Sequence, residues 1–215
     1  YMNNLLNKLF FRSQNLNYIN LGFKDVRKET EVEQIFIAIN SFSVNSKILY
    51  VGGCVRKIIN KEKVHDIDLA VNLKPTEVCE ALNSKKIKYY ESGIEHGTIT
   101  ALINNTKFEI TSLRKDVDTD GRHAKVEFTN SWKEDASRRD FTINSIYADI
   151  DGSLFDPFNG KKDLENGKVH FIGDSELRIK EDYLRVLRYI RFFLDYSRTK
   201  HESKTIKIIK KNLIG

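Results

Sequence analysis

Apolar residues recur along the chain with two different periods, and these periods predict a mixture of helices and strands. Within residues 29–42 they return every three to four positions, which is typical of an amphipathic helix. Residues 48–51 form a short apolar run that predicts a buried strand, and residues 86–113 predict three more strands. Pro75 marks the start of another helix that ends near Asn83. The first half of the chain therefore predicts an α+β fold.

The second half predicts helices separated by turn-rich segments. Residues 114–130 are highly charged and poor in apolar residues, so we expect a loop there. Residues 135–148 predict one amphipathic helix, and residues 149–173 carry the turn dipeptides D-G, D-P and N-G. Residues 174–196 predict a long helix. Its apolar side on a helical wheel holds Val186, Leu187, Ile190, Phe193 and Leu194.

A pair of glycines and a pair of aspartates lie close together in a predicted strand–turn–helix–strand unit. Gly52 and Gly53 follow a strand and open a short helix, and such a turn presents backbone N–H groups to an anion. Arg56 adds a cation one turn later. Asp66 and Asp68 alternate with apolar residues on the next strand, so both carboxylates lie on one face. Aligned carboxylates repel each other unless a cation lies between them, and oxygen ligands suit Mg²⁺.

Each of these features also has an ordinary structural explanation. A Gly-Gly pair is usually only a turn, and an Asp-x-Asp pair is often a solvated strand end. Glu109 alternates with apolar residues on a later strand, so it is either a third acid of the cleft or a solvated glutamate. The long helix places Arg185, Arg188 and Arg191 along one side. Asp182 lies within i,i+3 reach of Arg185, so this side is either a solvated face with an Asp–Arg pair or a phosphate-binding surface.

The composition limits the classes of protein to which the chain can belong. Its 215 residues are 40% apolar, enough for one large domain or a domain with an appendage. A formal net charge of +6 favours a polyanionic partner. Cys54 and Cys79 make neither a disulfide framework nor a zinc site, which favours a reducing compartment. No apolar run is long enough for a membrane span and no signal peptide is evident, so we expect a cytoplasmic protein, with mitochondria as the alternative.

Several stretches, in order, resemble the class II tRNA nucleotidyltransferases and poly(A) polymerases of the polymerase β superfamily. They are G-G-C-V-R with D-I-D-L, R-R-D-F-T-I-N, D-P-F-N-G, and E-D-Y-L-R-V-L-R-Y-I-R-F. The resemblance implies a nucleotidyltransferase head with a mostly antiparallel mixed sheet flanked by helices, followed by an all-helical neck. On this basis we assign residues 1–28 to an N-terminal extension, 29–150 to the head and 151–215 to the neck.

The resemblance also implies a role for each candidate residue. Asp66 and Asp68 would hold two Mg²⁺ ions, and Glu109 would be a third acid on a neighbouring strand. Asp182 and Arg185 would read the incoming base without a template. An ionised Asp only accepts hydrogen bonds and an Arg only donates them, which fits the amino donor and ring acceptor of cytosine and adenine. The remaining contacts to the nucleotide would come from Gly52, Gly53, Arg56, Arg139, Asn144, Arg188 and Arg191.

The implied reaction is the addition of CMP and AMP, from CTP and ATP, to the 3′ end of tRNA. Two alternatives remain open: a poly(A) polymerase or partial CC- or A-adding enzyme, and an inactive RNA-binding remnant. The remnant is suggested by Lys57, which stands where the family's G-G-x-V-R-D pattern has an acid. It is also suggested by the lack of the helical body and tail with which family members grip tRNA, so we expect a truncated or compact variant. Lys57 either breaks an ion pair that orients Arg56 or adds a phosphate contact.

Overall fold

A mixed sheet and a separate hairpin account for the strands of the protein. The computed structural model describes residues 18–120 and 123–213. Its strands are β1 (Ile48–Val51), β2 (Ile67–Val71), β3 (Lys88–Gly93), β4 (Thr98–Ile103), β5 (Thr106–Ser112), β6 (Arg114–Asp120), β7 (His123–Phe128), β8 (Tyr147–Ala148) and β9 (Leu154–Phe155). Seven of them form one sheet in the order β3-β4-β5-β2-β1-β8-β9, while β6 and β7 pair with each other. Within the described residues, β2 and β5 are the one parallel pair of the large sheet.

Helices pack on one face of this sheet, and helices alone follow β9 in the part of the chain that the structure describes. They are α1 (residues 18–30), α2 (Glu33–Asn40), α3 (Gly53–Ile59), α4 (Pro75–Ser84), α5 (Trp132–Ser137), α6 (Gly160–Glu165), α7 (Ser175–Glu181), α8 (Leu184–Tyr196) and α9 (Ser203–Leu213). The predicted α+β class with a mostly antiparallel sheet is confirmed. Among the described helices, none is both long enough and apolar enough to cross a bilayer.

Three apolar clusters hold these elements together, because each face of the sheet and the neck bury separate sets of side chains. The largest cluster lies between the sheet and α1–α4, and the helical stripe predicted within residues 29–42 is buried in it. A second cluster packs Phe141 and Ile143 against α7, α8 and α9. A third lies on the other face of the sheet, around Tyr147. Since Phe141 and Ile143 precede the helical region, the second cluster fastens the neck to the head.

The predicted single helix at residues 135–148 is wrong. In the structure α5 ends at Ser137, a 3₁₀ turn follows at Thr142–Asn144, and Tyr147 pairs with Val51 as part of β8. The apolar residues of this stretch supply all three clusters, which a single helix face cannot do. The polar residues Arg138, Arg139 and Asp140 therefore lie in a short, irregular segment between α5 and the 3₁₀ turn.

The predicted loop at residues 114–130 is also wrong, because β6 and β7 form an antiparallel hairpin there. Lys115 lies opposite Glu127 in the register, and their charged groups are 3.3 Å apart. Cross-strand ion pairs and backbone hydrogen bonds support such a ribbon without the apolar alternation on which the sequence prediction relied.

The predicted long neck helix at residues 174–196 is divided into α7 and α8. Asp182 interrupts it with an extended backbone, at φ −156° and ψ 107°. Its Oδ1 accepts a hydrogen bond from the Leu184 N–H at 2.9 Å, which satisfies a donor at the start of α8. The break turns the direction of the chain next to the residues that were predicted to read the base.

The predicted apolar side of α8 is only partly correct. Val186 is buried, but Leu187 and Leu194 are 64% and 77% exposed. The helix instead buries three aromatic residues: Tyr189, Phe192 and Tyr196. Aromatic rings bury more surface than leucines and pack against the rings of Phe141 and Phe171.

The end of the head sheet lies beyond the position that we assigned as the domain boundary. Leu154 and Phe155 form β9, which pairs with β8 as the last strand of the large sheet. The helix α6 follows and contacts the 3₁₀ turn at Thr142–Asn144. The division of the chain at residue 150 therefore stays a prediction, and the strand pairing favours a later boundary.

Candidate active site

A cleft of about 440 Å³ lies where α3, β2, the segment after α5 and the two neck helices meet. All predicted site residues except Asp66 and Glu109 line it. A larger cleft of about 560 Å³ elsewhere on the head contains none of them. The first cleft is lined by Gly52, Gly53, Arg56, Asp68, Arg138, Arg139, Asp140, Asn144, Asp182, Arg185, Arg188, Arg191 and Phe192.

The glycine turn forms the floor of the cleft. Gly52 has φ +70° and ψ −122°, a conformation that side chains with a Cβ rarely adopt. A Cβ at this position would also lie 3.5 Å from Nη1 of Arg139, on the opposite wall. Because that distance is an ordinary contact, it is the backbone conformation of the turn into α3 that favours glycine at residue 52.

The acidic residues lie on two neighbouring strands. Asp68 on β2 is in register with Glu109 on β5, and because this pair is parallel both side chains lie on the same face of the sheet. Asp66 is exposed and directly precedes β2. Burial and the carboxylate of Glu109 raise the pKa of Asp68, with a smaller contribution from Asp66, while Arg139 and Arg56 oppose this effect.

The charge on Asp68 is incompletely compensated by the protein. No described residue forms a hydrogen bond or an ion pair with its carboxylate. Among the described residues, no group of three or more acidic, histidine or cysteine side chains forms a site that could hold a metal ion. Oxygen donors that repel each other, and whose charge Arg139 and Arg56 offset only in part, have the chemistry that a hard divalent ion prefers. The carboxylates of Asp68 and Glu109 therefore fit Mg²⁺, which is usually bound by one or two carboxylates together with substrate phosphates.

Arg56 reaches the cleft from α3 and is held by residues of the neck. Its guanidinium lies 4.8 Å from the ring centroid of Phe192 and 4.9 Å from that of Tyr196. It also donates a hydrogen bond to Oδ1 of Asn144. The side chain is only 7% exposed, so a short helix of the head has its cation fixed by contacts distant in sequence.

Arg139 is held by a buried acid that sequence reasoning missed. Asp135 is 1% exposed and accepts hydrogen bonds from Arg138 at 2.9 Å, Arg139 at 3.2 Å and the Tyr147 hydroxyl at 2.6 Å. Burial alone would raise the pKa of Asp135, but Arg139 and Arg138 lower it below its ordinary value. The only signal in the sequence was the i,i+3 and i,i+4 spacing to the two arginines.

The predicted ion pair between Asp182 and Arg185 is not formed. Arg185 instead donates from Nη1 to Oε2 of Glu181 at 2.5 Å and to the carbonyl of Arg178 at 2.7 Å. Asp182 is occupied at Oδ1 by the Leu184 N–H, as described above. The break between α7 and α8 separates the two side chains, yet both still line the cleft.

Both the sequence and the fold of the chain are similar to those of known proteins. The sequence model described as the poly A polymerase head domain matches residues 48–170, more than half of the chain. The chain belongs to this family. Human mitochondrial CCA tRNA nucleotidyltransferase 1 is 48% identical over 174 residues, which cover 80% of this chain and 40% of the human protein.

Solved structures give the same relationship for this member of the poly(A) polymerase head family. A crystal structure of the Bacillus stearothermophilus CCA-adding enzyme in complex with CTP aligns with a TM-score of 0.71 and 28% identity, covering 83% of this chain and 42% of that one. A tRNA nucleotidyltransferase complexed with a primer tRNA and an incoming ATP analog aligns with a TM-score of 0.66 and 26% identity, covering 83% and 50%. The chain thus spans about 40% of the length of its curated relative.

Three further residues that line the cleft were not predicted as site residues: Arg138, Asp140 and Phe192. Asp140 accepts hydrogen bonds from Asn144 at 3.0 Å and from Nε of Arg188 at 2.6 Å, so it joins the head to α8. The ring of Phe192 is approached by Arg191 at 4.7 Å and by Arg188 at 5.4 Å, in addition to Arg56. Asp140 belongs to the R-R-D string, whereas the role of Phe192 depends on long-range packing that no local pattern indicates.

Lys57 departs from the family pattern but lies away from the cleft. It is half-buried on α3 and is not among the residues that line the cleft. It makes no ion pair with any residue that the structure describes. Because Arg56 is oriented by Asn144 and two aromatic rings, its position does not require an acid at residue 57.

Proposed function

We propose that this chain carries the catalytic head and neck of a template-independent tRNA nucleotidyltransferase, which adds CMP and AMP from CTP and ATP to the tRNA 3′ end. One observation carries the proposal: a partly compensated acid, a glycine turn and an arginine-rich helix from distant parts of the chain line a single cleft. The relatives named for CCA addition, and those solved with CTP or with tRNA and an ATP analog, support it.

The acidic wall provides the metal site in this proposal. Asp66 and Asp68 would hold two Mg²⁺ ions, with Glu109 as a third acid beside Asp68. When bound, such ions lower the pKa of the attacking 3′-hydroxyl and neutralise the leaving pyrophosphate. The protein's own contribution is to hold the carboxylates of Asp68 and Glu109 on one sheet face, where their mutual repulsion favours cation binding.

The arginine-rich wall binds the nucleotide. Arg56, Arg139, Arg188 and Arg191 surround the cleft, with Gly53 and Asn144 beside them, and they attract the triphosphate and fix its position. Most of these guanidiniums are already oriented by Asp135, Asp140 or Phe192. Catalysis is then mainly positioning and neutralisation of charge.

The neck selects the base. Asp182 keeps one carboxylate oxygen that no described residue occupies, and Arg185 keeps N–H groups beyond Nη1. Cytosine and adenine offer an amino donor beside a ring-nitrogen acceptor, whereas uracil and guanine place a carbonyl where the amino group would be. A mismatch would leave buried polar groups unpaired, and such losses give strong rejection.

The alternative functions that the sequence left open would give different products from the same cleft. The description of the matching family as a poly A polymerase head domain favours poly(A) synthesis as the second candidate. The decisive experiment incubates the protein with tRNA that lacks its 3′ CCA, with Mg²⁺ and with each nucleotide separately. Use of CTP followed by ATP supports CCA addition. ATP runs on any RNA would indicate poly(A) synthesis, and RNA binding without incorporation would indicate a remnant.

The name of the human relative favours a different cellular location from the one that the composition suggested. We infer a mitochondrial protein as the better supported of the two locations, because the human relative is named as mitochondrial. Imaging of the tagged full-length protein beside a mitochondrial marker tests this, and a diffuse cytoplasmic signal would contradict it.

A further inference from the structure

A buried arginine links the two walls of the cleft without lining it. The Arg178 side chain is 11% exposed and lies on α7, before the residues that we assign to base selection. Its Nη2 donates to the carbonyls of Arg138 and Arg139, the latter at 2.7 Å. These carbonyls follow the end of α5 and belong to the segment that places Arg139 in the cleft.

The other branch of the same guanidinium contacts the neck. Nη1 of Arg178 donates to Oε2 of Glu181 at 2.7 Å. That oxygen also accepts from Nη1 of Arg185 at 2.5 Å, and the Arg178 carbonyl accepts from the same nitrogen at 2.7 Å. A continuous chain of hydrogen bonds therefore runs from the head carbonyls through Arg178 and Glu181 to Arg185.

The planar fork of an arginine suits this position. A guanidinium offers five donors in a fixed geometry, so one side chain can hold two carbonyls on one branch and a carboxylate on the other. Because Glu181 holds Arg185, the predicted Asp182–Arg185 ion pair is not needed to orient Arg185. Asp182 and Arg185 then stay separate, each with groups left for a nucleotide base.

We propose that Arg178, acting through Glu181, is a positioning residue for nucleotide selection: it fixes Arg185 relative to Arg139, so that base and phosphates are read in one geometry. This inference rests on the proposed nucleotidyl transfer. It assigns a role in that reaction to Arg178 and Glu181, which position Arg185 without touching the substrate. Loosening the link should let Arg185 adopt other orientations, which weakens discrimination between bases more than it weakens phosphate binding.

The test compares Arg178→Lys and Glu181→Gln with the matched control Arg198→Lys, each in the full chain. Lysine keeps the charge but cannot hold two carbonyls and a carboxylate in one plane. Arg198 is exposed, and its side chain makes no hydrogen bond with a described residue. Steady-state addition to tRNA lacking CCA gives kcat/KM for CTP and for UTP, and calorimetry gives binding of the same nucleotides.

We expect the CTP-to-UTP ratio of kcat/KM to fall by at least about tenfold in Arg178→Lys and in Glu181→Gln, as for one weakened charged hydrogen bond. The double variant should fall no further than either single variant, since both interrupt the same chain of contacts. Arg198→Lys should keep the wild-type ratio. A merely structural role would lower the folded fraction and leave the ratio unchanged.

The outcomes separate this inference from the proposed function. If the wild-type protein adds nucleotides but both folded variants keep its CTP-to-UTP ratio, the inference is overturned and the function stands. Failure of both variants to fold would also overturn it, because the contact would then be structural. A wild-type protein that neither adds nor binds CTP and ATP overturns the proposed function, and this inference with it.

Discussion

The acidic wall of the cleft comes from strands of the head, whereas the arginine wall is built by head and neck together, and the two walls differ in how the protein satisfies their charges. Asp68 has no hydrogen-bond or ion-pair partner in the part of the chain that the structure describes, and burial and Glu109 raise its pKa. Arg185 and Arg188, by contrast, form ion pairs with Glu181 and Asp140. The arginine wall is thus held in place by protein, whereas the acidic wall is left with charge to satisfy.

This difference assigns separate tasks to the two walls. Side chains that are fixed before a ligand arrives lose little freedom when they bind it, which favours selectivity. Carboxylates that repel each other gain most when a cation enters between them. Substitutions on each wall test this contrast.

The first prediction removes the partly compensated acid. We expect Asp68→Ala to lower nucleotide addition by at least about a thousandfold, because it removes a proposed metal ligand at the reacting centre. The melting temperature should stay equal or rise, since the raised pKa shows that ionised Asp68 is unfavourable in the fold. Mg²⁺ should raise the melting temperature of the wild type but not that of the variant.

Glu80→Ala is the matched control for this variant, because Glu80 is an exposed acid on α4 without a described partner. It should keep both activity and the response to Mg²⁺. Turnover near the wild-type level in Asp68→Ala would refute the assignment of Asp68.

The second prediction concerns the acid that holds the arginine wall on the head side. Asp135→Asn should lower the free energy of unfolding by about 3–5 kcal/mol, because a buried arginine pair loses its counter-ion. Denaturant titration measures this loss. The surface variant Asp149→Asn, which removes the exposed pair with Lys47, should cost less than about 1 kcal/mol.

The same variant predicts a dependence on pH. The folded-state pKa of Asp135 is lowered, so its stabilisation is present above the pKa of the unfolded chain, about 3.9, and is lost as the pH falls through the folded-state value. Acid unfolding of Asp135→Asn should therefore be less steep below about pH 4 than that of the wild type. Identical acid limbs for the two proteins would show that Asp135 is not the group responsible.

The third prediction weakens the aromatic support of the arginine wall. Phe192→Leu should raise KM for CTP and ATP by about three- to tenfold with a smaller change in kcat, because Arg56, Arg188 and Arg191 lose a ring face. Tyr196→Phe is the control, since it keeps its ring beside Arg56 and loses only its hydroxyl, which contacts Glu62 at 3.2 Å and also interacts with Arg56. Equal values of KM in the two variants would contradict the role of the Phe192 ring.

The smallest effect is expected from the residue that departs most visibly from the family pattern. Lys57→Asp should change kcat/KM by less than about twofold, because Lys57 lies outside the cleft and Arg56 is held by other groups. Rate measurements with CTP and ATP test this. A large gain in activity would show that the acid orients Arg56 after all and would weaken the contrast drawn here.

Sequence patterns predicted the structure most reliably where a helix or strand buries a single side. The helical stripe around Phe36 and the strand at Ile48–Val51 were predicted and are buried as expected. The predictions failed where residues close in sequence pack into different apolar clusters, as Phe141, Ile146 and Tyr147 do. Periodicity assumes one buried side per element, and that assumption does not hold in such a segment.

Local patterns in the sequence were enough to identify the chemical groups that this protein carries and their order: the glycine turn, the alternating aspartates, the R-R-D string and the arginine-bearing helix. The partners of these groups became known from the three-dimensional packing. Glu181 rather than Asp182 holds Arg185, Asp135 holds Arg139, and a ring of the neck supports an arginine of the head. Local spacing fixes distances within an element, but contacts between elements depend on the packing of the whole chain.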